Sequence, residues 1–180
     1  MSDELKLIAA AKAGSVDAFT DLVRAYRPRL LRFLLTRSPS HADAEDVLQD
    51  TLIAAFRYLH SYDPRWRFST WLYRIAIRNA ARLRSPGMLE IGDLRDEEND
   101  PLQQCIADSE TDNLWVSARE VLNDEVYAAM WLRYAEDMSV NDISQALDRS
   151  ASWTKVNLMR GRRVLETHMN GDAGQSEAYG

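Results

Sequence analysis

One break in pattern limits what this chain can fold into. Nearly all of its 180 residues show apolar side chains at helical spacing, and no stretch sustains strand alternation. The exception is a run of about 25 residues after Ser85-Pro86-Gly87, where periodicity fades, acids crowd together and Pro101 intervenes. A loop that long does not suit the interior of a compact domain, so it is read as a linker. The expected fold is therefore all-α, with two small helical domains joined by an acidic flexible linker. The boundaries are 1–85, 86–111 and 112–169, with a frayed, disordered tail over 170–180.

Charge reinforces this division. The formal net charge is −6, yet residues 86–116 hold nine acids against one base, Arg95, and so carry −8. Everything else together carries +2. Six arginines and four aromatics, with no acid, fall within residues 65–84. The single cysteine, Cys105, excludes a disulfide within one chain and suits a reducing, cytoplasmic setting. No apolar run approaches the ~18 residues that span a bilayer, and the first twenty residues do not read as a signal peptide. No nucleophile–base pair, phosphate-cradling glycine loop or metal-ligand cluster is evident, so neither an enzyme, a cofactor nor a metal is expected.

The helices can be placed in order. Ser2 or Asp3 caps the first, which runs to about Ala13; Gly14 and Ser15 end it. A second starts near Val16 and extends through Leu34, with Pro28 inside it as a kink. A third spans about Ala42 to Leu59, with Val47, Leu48, Leu52, Ala55, Phe56 and Leu59 on its apolar side. Ser69 is expected to cap a fourth that ends near Arg84. Beyond the linker, one helix covers about 112–121 and Asn123 caps the next. Two shorter ones cover about 140–147 and 151–168.

The last pair has chemistry of its own. Ser139 and Asp142 are spaced as a capping box. Asp148, Arg149 and Ser150 make a tight turn, and Ser150 caps the second member. Thr154, Leu158, Gly161 and Leu165 point inward. Ser152, Lys155, Val156, Met159, Arg160 and Arg163 remain outside, and with Arg149 they form a face with no acid between 149 and 163. A helix fits the major groove, its cations neutralise phosphates and its other side chains touch base edges. This describes a helix-turn-helix, although an ordinary helical hairpin with a solvated basic face has the same pattern.

The first domain presents two opposite faces. Trp71, Arg74, Arg78 and Arg82 form a stripe on the fourth helix, while Leu72, Ile75, Ala76, Asn79 and Leu83 turn inward. The preceding loop adds Tyr62, Arg65, Trp66, Arg67 and Phe68. Arginines that grip phosphates, interleaved with rings that stack on bases, suit single-stranded or opening DNA. The alternative is that the rings are core and the arginines snorkel over them. The third helix instead exposes Asp43, Asp46, Gln49 and Asp50. That face is either merely solvated or a docking surface for a basic protein.

Taken together, these residues resemble the extracytoplasmic-function class of bacterial sigma factors, within the sigma-70 family. The likeness runs from about Asp17 to Leu165. DAEDVLQDTLIAAFRYLHSYDP and FSTWLYRIAIRNAARLR resemble the family's region two; LNDEVYAAMWLRYAEDMSVNDISQAL and TKVNLMRGRRVL resemble region four. The resemblance implies a non-enzymatic initiation factor that binds core RNA polymerase, bridges the −35 and −10 promoter elements and stabilises melted DNA. It implies that Asp46, Gln49 and Asp50 dock on the β′ clamp helices and that the second domain meets the β flap. It assigns Tyr62–Phe68, Trp71, Arg74, Arg78 and Arg82 to the −10 element, and Lys155, Val156, Met159 and Arg160 to the −35 element. The linker would thread the polymerase channels, its acids imitating nucleic acid, and an anti-sigma factor would mask the polymerase-binding faces.

The chain departs from the family pattern at Asp148, where glycine is usual, at Ser144, Val156 and Asn157, and at Trp66. The changes near the recognition helix imply an atypical −35 preference. Two rival readings follow from the same faces: a dimeric regulator that binds duplex DNA unaided, and a helical module that binds acidic proteins.

Overall fold

The computed structural model describes residues 3–83 and 110–176. All of the linker up to Ser109, including Cys105, and the last four residues lie outside them. The described residues are helical with short connections and contain no strand. The chain divides into two compact units, Met1–Cys105 and Ile106–Gly180.

The first unit begins with α1 (Asp3–Lys12) and α2 (Val16–Arg24). Gly14 adopts φ +99°, a left-handed conformation that costs glycine nothing. Ser15 then caps α2, its hydroxyl accepting from the Ala18 N–H at 3.2 Å. α3 (Arg27–Leu35) follows as a separate helix. The single kinked helix expected over Val16–Leu34 is thus two helices. Pro28 stands in the first turn of α3, where its missing N–H is no loss, rather than inside a continuous ladder. Ser40 caps α4 (His41–Tyr58) by accepting from the Asp43 N–H at 3.1 Å, and a 3-10 turn (Leu59–Ser61) closes that helix.

α5 (Phe68–Leu83) starts one residue earlier than the expected Ser69 cap. Ser69 lies buried in its first turn, because Phe68 is drawn inward and brings the start of the helix with it. The Phe68 ring is fully buried, with centroids 5.6 Å from Tyr26, 5.6 Å from Tyr62 and 5.7 Å from Trp71. The Tyr62 hydroxyl donates to the Trp66 carbonyl at 2.7 Å, and Lys12 donates to the Tyr62 carbonyl at 3.0 Å. Tyr26 donates to Glu4 at 2.9 Å. Burial, and then the Glu4 carboxylate, push its phenol above the ordinary value and keep that donor protonated. Behind this cluster, Leu30, Phe33 and Leu34 of α3 meet Ala44, Val47, Leu48 and Ala55 of α4 and Leu72, Tyr73, Ala76 and Ala80 of α5.

The second unit is built around α7 (Asp124–Tyr134), which follows α6 (Glu110–Val121). Asn123 caps α7, accepting from the Val126 N–H at 3.0 Å. Every residue from Val126 to Leu132 is buried, the mark of a helix enclosed on all sides. Trp115 of α6 packs on Tyr127 and Trp131 at centroid distances of 5.8 and 4.9 Å. α8 (Val140–Leu147) is capped by Ser139 and ends at Asp148, which adopts φ 56°, ψ 46°. A residue other than glycine pays for that left-handed conformation, and a short polar side chain pays least. α9 runs from Ala151 to Ser176, so the expected frayed tail is helical over 170–176.

At Gly161, α9 approaches α7 closely. A Cβ there would lie 3.0 Å from Val126 Cγ1 and 3.1 Å from Met130 Cγ and Sδ. Gly161→Val is expected to destabilise the second unit by about 1–3 kcal/mol through overpacking. Hydrogen exchange should show faster opening of α7 and α9 with α3–α5 unaffected. In the first unit, Phe68→Ala should cost about 3–5 kcal/mol in urea denaturation. Arg78→Ala, exposed on the same helix, should stay within about 0.5 kcal/mol.

Candidate polymerase and nucleic-acid interface

Helical geometry places Asp46, Gln49, Asp50, Ile53 and Arg57 on one face of α4, and all five are exposed. Asp43 is turned back toward the cap, where its carboxylate accepts from the Ser40 hydroxyl at 2.6 Å. The acidic face is therefore Asp46 and Asp50 around Gln49. Ile53 stands beside them with 49% of its surface exposed and had no role in the sequence reading. The signal was present: Ile53 follows Asp50 by three residues, which puts it on the side of the acids rather than on the apolar stripe. The buried side of the same helix holds Val47, Leu48, Thr51 and Ala55.

α5 and the loop before it sort the expected −10 residues into two groups. Tyr62 and Phe68 are buried, so they do not offer a free ring to a base. Their aromatic surface is spent on each other, and their effect on any DNA contact runs through the shape of the loop. Trp66 and Trp71 are half-buried, each retaining accessible surface. Arg65, Arg67, Arg78 and Arg82 are exposed, and Arg74 is half-buried. Arg65 is held within the loop by Asp63, with Nη2 to Oδ2 at 2.6 Å and Nε to Oδ2 at 2.8 Å. That guanidinium, through its hydrogen bond, keeps the Asp63 carboxyl below the usual carboxylate range. On the inner side, Leu72 and Ala76 are buried, Ile75, Asn79 and Leu83 are half-buried, and the Asn79 amide donates to Thr51 at 3.3 Å. The fully buried Tyr73 belongs to that inner side too. The sequence reading overlooked it because its neighbour is Arg74.

The helix pair α8–α9 has the expected turn. Ser139 accepts from the Asp142 N–H at 3.1 Å and donates to the Asp142 carboxylate at 2.6 Å. Ser150 caps α9 through the Trp153 N–H at 3.1 Å. The Ser144 and Thr154 hydroxyls lie 2.9 Å apart and tie the two helices together, so the hydroxyl at the unusual Ser144 is satisfied. Thr154, Leu158, Gly161 and Leu165 are buried, while Ser152, Lys155, Val156, Met159, Arg160 and Arg163 are exposed. Arg149 is braced internally: its guanidinium lies 2.6 Å from Glu125 and over the Trp153 ring at 5.3 Å. Asn157 donates to the Trp153 carbonyl at 2.9 Å, which turns its amide toward its own helix. The basicity is local. Residues 117–180 hold seven bases and ten acids, so the positive face of α9 is concentrated by placement rather than by composition.

Among the described residues, no group of three or more His, Cys, Asp or Glu side chains is placed to hold a metal ion. None of the described helices is long and apolar enough to cross a membrane.

Comparison with known proteins agrees with this fold. The Sigma-70 region 2 family profile matches residues 22–85, which contain the last turn of α2 and all of α3–α5. Over its near-entire length the chain is 26% identical to the ECF RNA polymerase sigma factor SigW of Bacillus subtilis, covering 91% of this chain and 95% of that protein. It is 29% identical to the ECF RNA polymerase sigma-E factor of Haemophilus influenzae, covering 89% and 92%. Among solved structures, the fold resembles CnrH in complex with the cytosolic domain of CnrY, with a TM-score of 0.70 at 23% identity over 95% of this chain and 99% of that one. It also resembles the sigma factor RpoE bound to the anti-sigma factor NepR from Bartonella quintana, with a TM-score of 0.66 at 20% identity over 86% and 98%. The chain thus carries a Sigma-70 region 2 match in its first unit and is similar over nearly its whole length to extracytoplasmic-function sigma factors.

Proposed function

We propose that this protein is an alternative sigma factor that binds core RNA polymerase and directs promoter-specific initiation. The observation that carries the reading is the separation of faces in the first unit. α4 exposes Asp46, Gln49 and Asp50, while α5 and its loop expose Arg67, Arg78 and Arg82. One small domain thereby offers an acidic surface to a protein and a basic one to DNA, and neither competes for the other's ligand. In this reading the α4 face docks on the polymerase β′ clamp helices. The arginines of α5 follow the phosphates of the −10 element, and Trp66 and Trp71 stack on bases as the strands part. Tyr62 and Phe68 act as positioning residues that hold this loop in shape. α9 enters the major groove at the −35 element, with the second unit seated at the β flap. Residues 86–111 serve as the tether, and the assignment of domains at 1–85 and 112–169 belongs to the same proposal.

The protein itself carries no chemistry in this account: polymerase makes the phosphodiester bonds, and no metal or cofactor is required of this chain. It works in the cytoplasm. The solved complexes with the CnrY cytosolic domain and with NepR support a partner of the anti-sigma kind for this chain as well. Such a partner would cover the faces that polymerase needs.

Reconstitution with core polymerase should yield promoter-specific transcripts that neither component gives alone. The double variant Asp46→Arg/Gln49→Arg should abolish them by losing core binding, measured by co-elution with core, while its circular dichroism stays unchanged. Initiation that survives this charge reversal overturns the clamp assignment. A chain that binds promoter duplex tightly without polymerase is instead a regulator acting alone.

A further inference from the structure

The exposed face of α9 is not uniformly basic. At about 100° per residue, Val156 and Met159 lie about 30° either side of its midline, and Lys155 and Arg160 about 70° either side. Val156 is 38% exposed and Met159 46%; the other exposed apolar side chains of α9, Val164 and Met169, lie about 110° from the midline. Cations at the edges of the face suit the two phosphate backbones that border a major groove. Between those cations Val156 and Met159 face the groove floor, with the exposed Ser152 and Arg163 on the midline about 6 Å beyond them toward either end of the helix. Between Ser152 and Arg163, the Asn157 amide is bonded to the Trp153 carbonyl and so is turned away from the groove, and Arg149, before the helix, is bound to Glu125. The one apolar feature on the floor of the major groove is the thymine 5-methyl. Val156 and Met159 are separated by about 4.5 Å along the helix axis, and successive base pairs by about 3.4 Å.

We propose that Val156 and Met159 are specificity-determining residues that read the 5-methyl groups of neighbouring thymines in the −35 element. This rests on the sigma-factor reading and deepens it. Discrimination at these positions then comes from removing apolar surface from water rather than from hydrogen bonds to base edges. The edge cations Lys155 and Arg160 supply affinity without sequence preference.

The test uses holoenzyme assembled from core polymerase and the full chain. Its −35 element is first selected from templates randomised in that segment. Selected templates are then made with deoxyuridine in place of each thymidine, which removes only the methyl group. For the thymines that face α9, open-complex formation should fall about fourfold per methyl removed, the factor that burying one such group is worth. With Val156→Ser and Met159→Ser, thymine and uracil templates should be used equally. Lys155→Ala should instead weaken both kinds of template alike. Equal use of thymine and uracil templates by the unaltered holoenzyme overturns the inference while leaving promoter-specific initiation intact. So does a selected element with no thymine. Absence of any promoter-specific transcript defeats the underlying sigma reading itself.

Discussion

The burial of one ring organises the first unit. Phe68 sits within contact of Tyr26, Tyr62 and Trp71, and these come from three different parts of the chain. Because Phe68 is also the first residue of α5, its burial sets the rotation of that helix. Leu72, Tyr73, Ala76 and Ala80 then fall inward, and Arg78 and Arg82 fall outward. The hydroxyl of Tyr62, bonded to the Trp66 carbonyl, carries the same constraint into the loop. A basic, ring-bearing surface can persist in water only if something apolar behind it holds its shape, and here that support is made from part of the same aromatic cluster.

The second unit meets a related demand with different means. α7 is enclosed on every side, so α6, α8 and α9 can each contribute one face and keep another free. The close approach of Gly161 to Val126 and Met130 seats α9 against that centre. The Ser144–Thr154 hydroxyl contact and the left-handed Asp148 set the angle between α8 and α9. The exposed face of α9 is therefore a product of how tightly its other side is held. Its charge is local, since the unit around it is acidic as a whole.

Much of this was legible in the sequence. Helical spacing, capping serines and the acidic non-periodic run were enough for an all-α chain with two helical parts. They also gave the inward and outward residues of α9 and the exposed acids of α4. The misreadings have specific causes. Pro28 is compatible with both a kink and a helix start, and only the break at Ala25–Tyr26 separates them. Tyr62 and Phe68 looked like surface rings because arginines flank them, and flanking charge says nothing about which side of the backbone a ring takes. Ile53 went unnoticed because one exposed apolar residue does not disturb a helical pattern.

By itself, the sequence determined what depends on neighbours along the chain: which segments are helices, where they are capped, and how charge is apportioned among them. These are short-range properties, governed by spacing of about 3.6 residues per turn and by side chains reaching nearby backbone groups. Only the tertiary structure decided which aromatics support the basic loop and which remain accessible, that Arg149 is spent on Glu125, and that Val156 and Met159 stay open on the α9 face. Each of these depends on contacts between residues distant in sequence. Burial is assigned by the packing of whole helices, which no local pattern specifies.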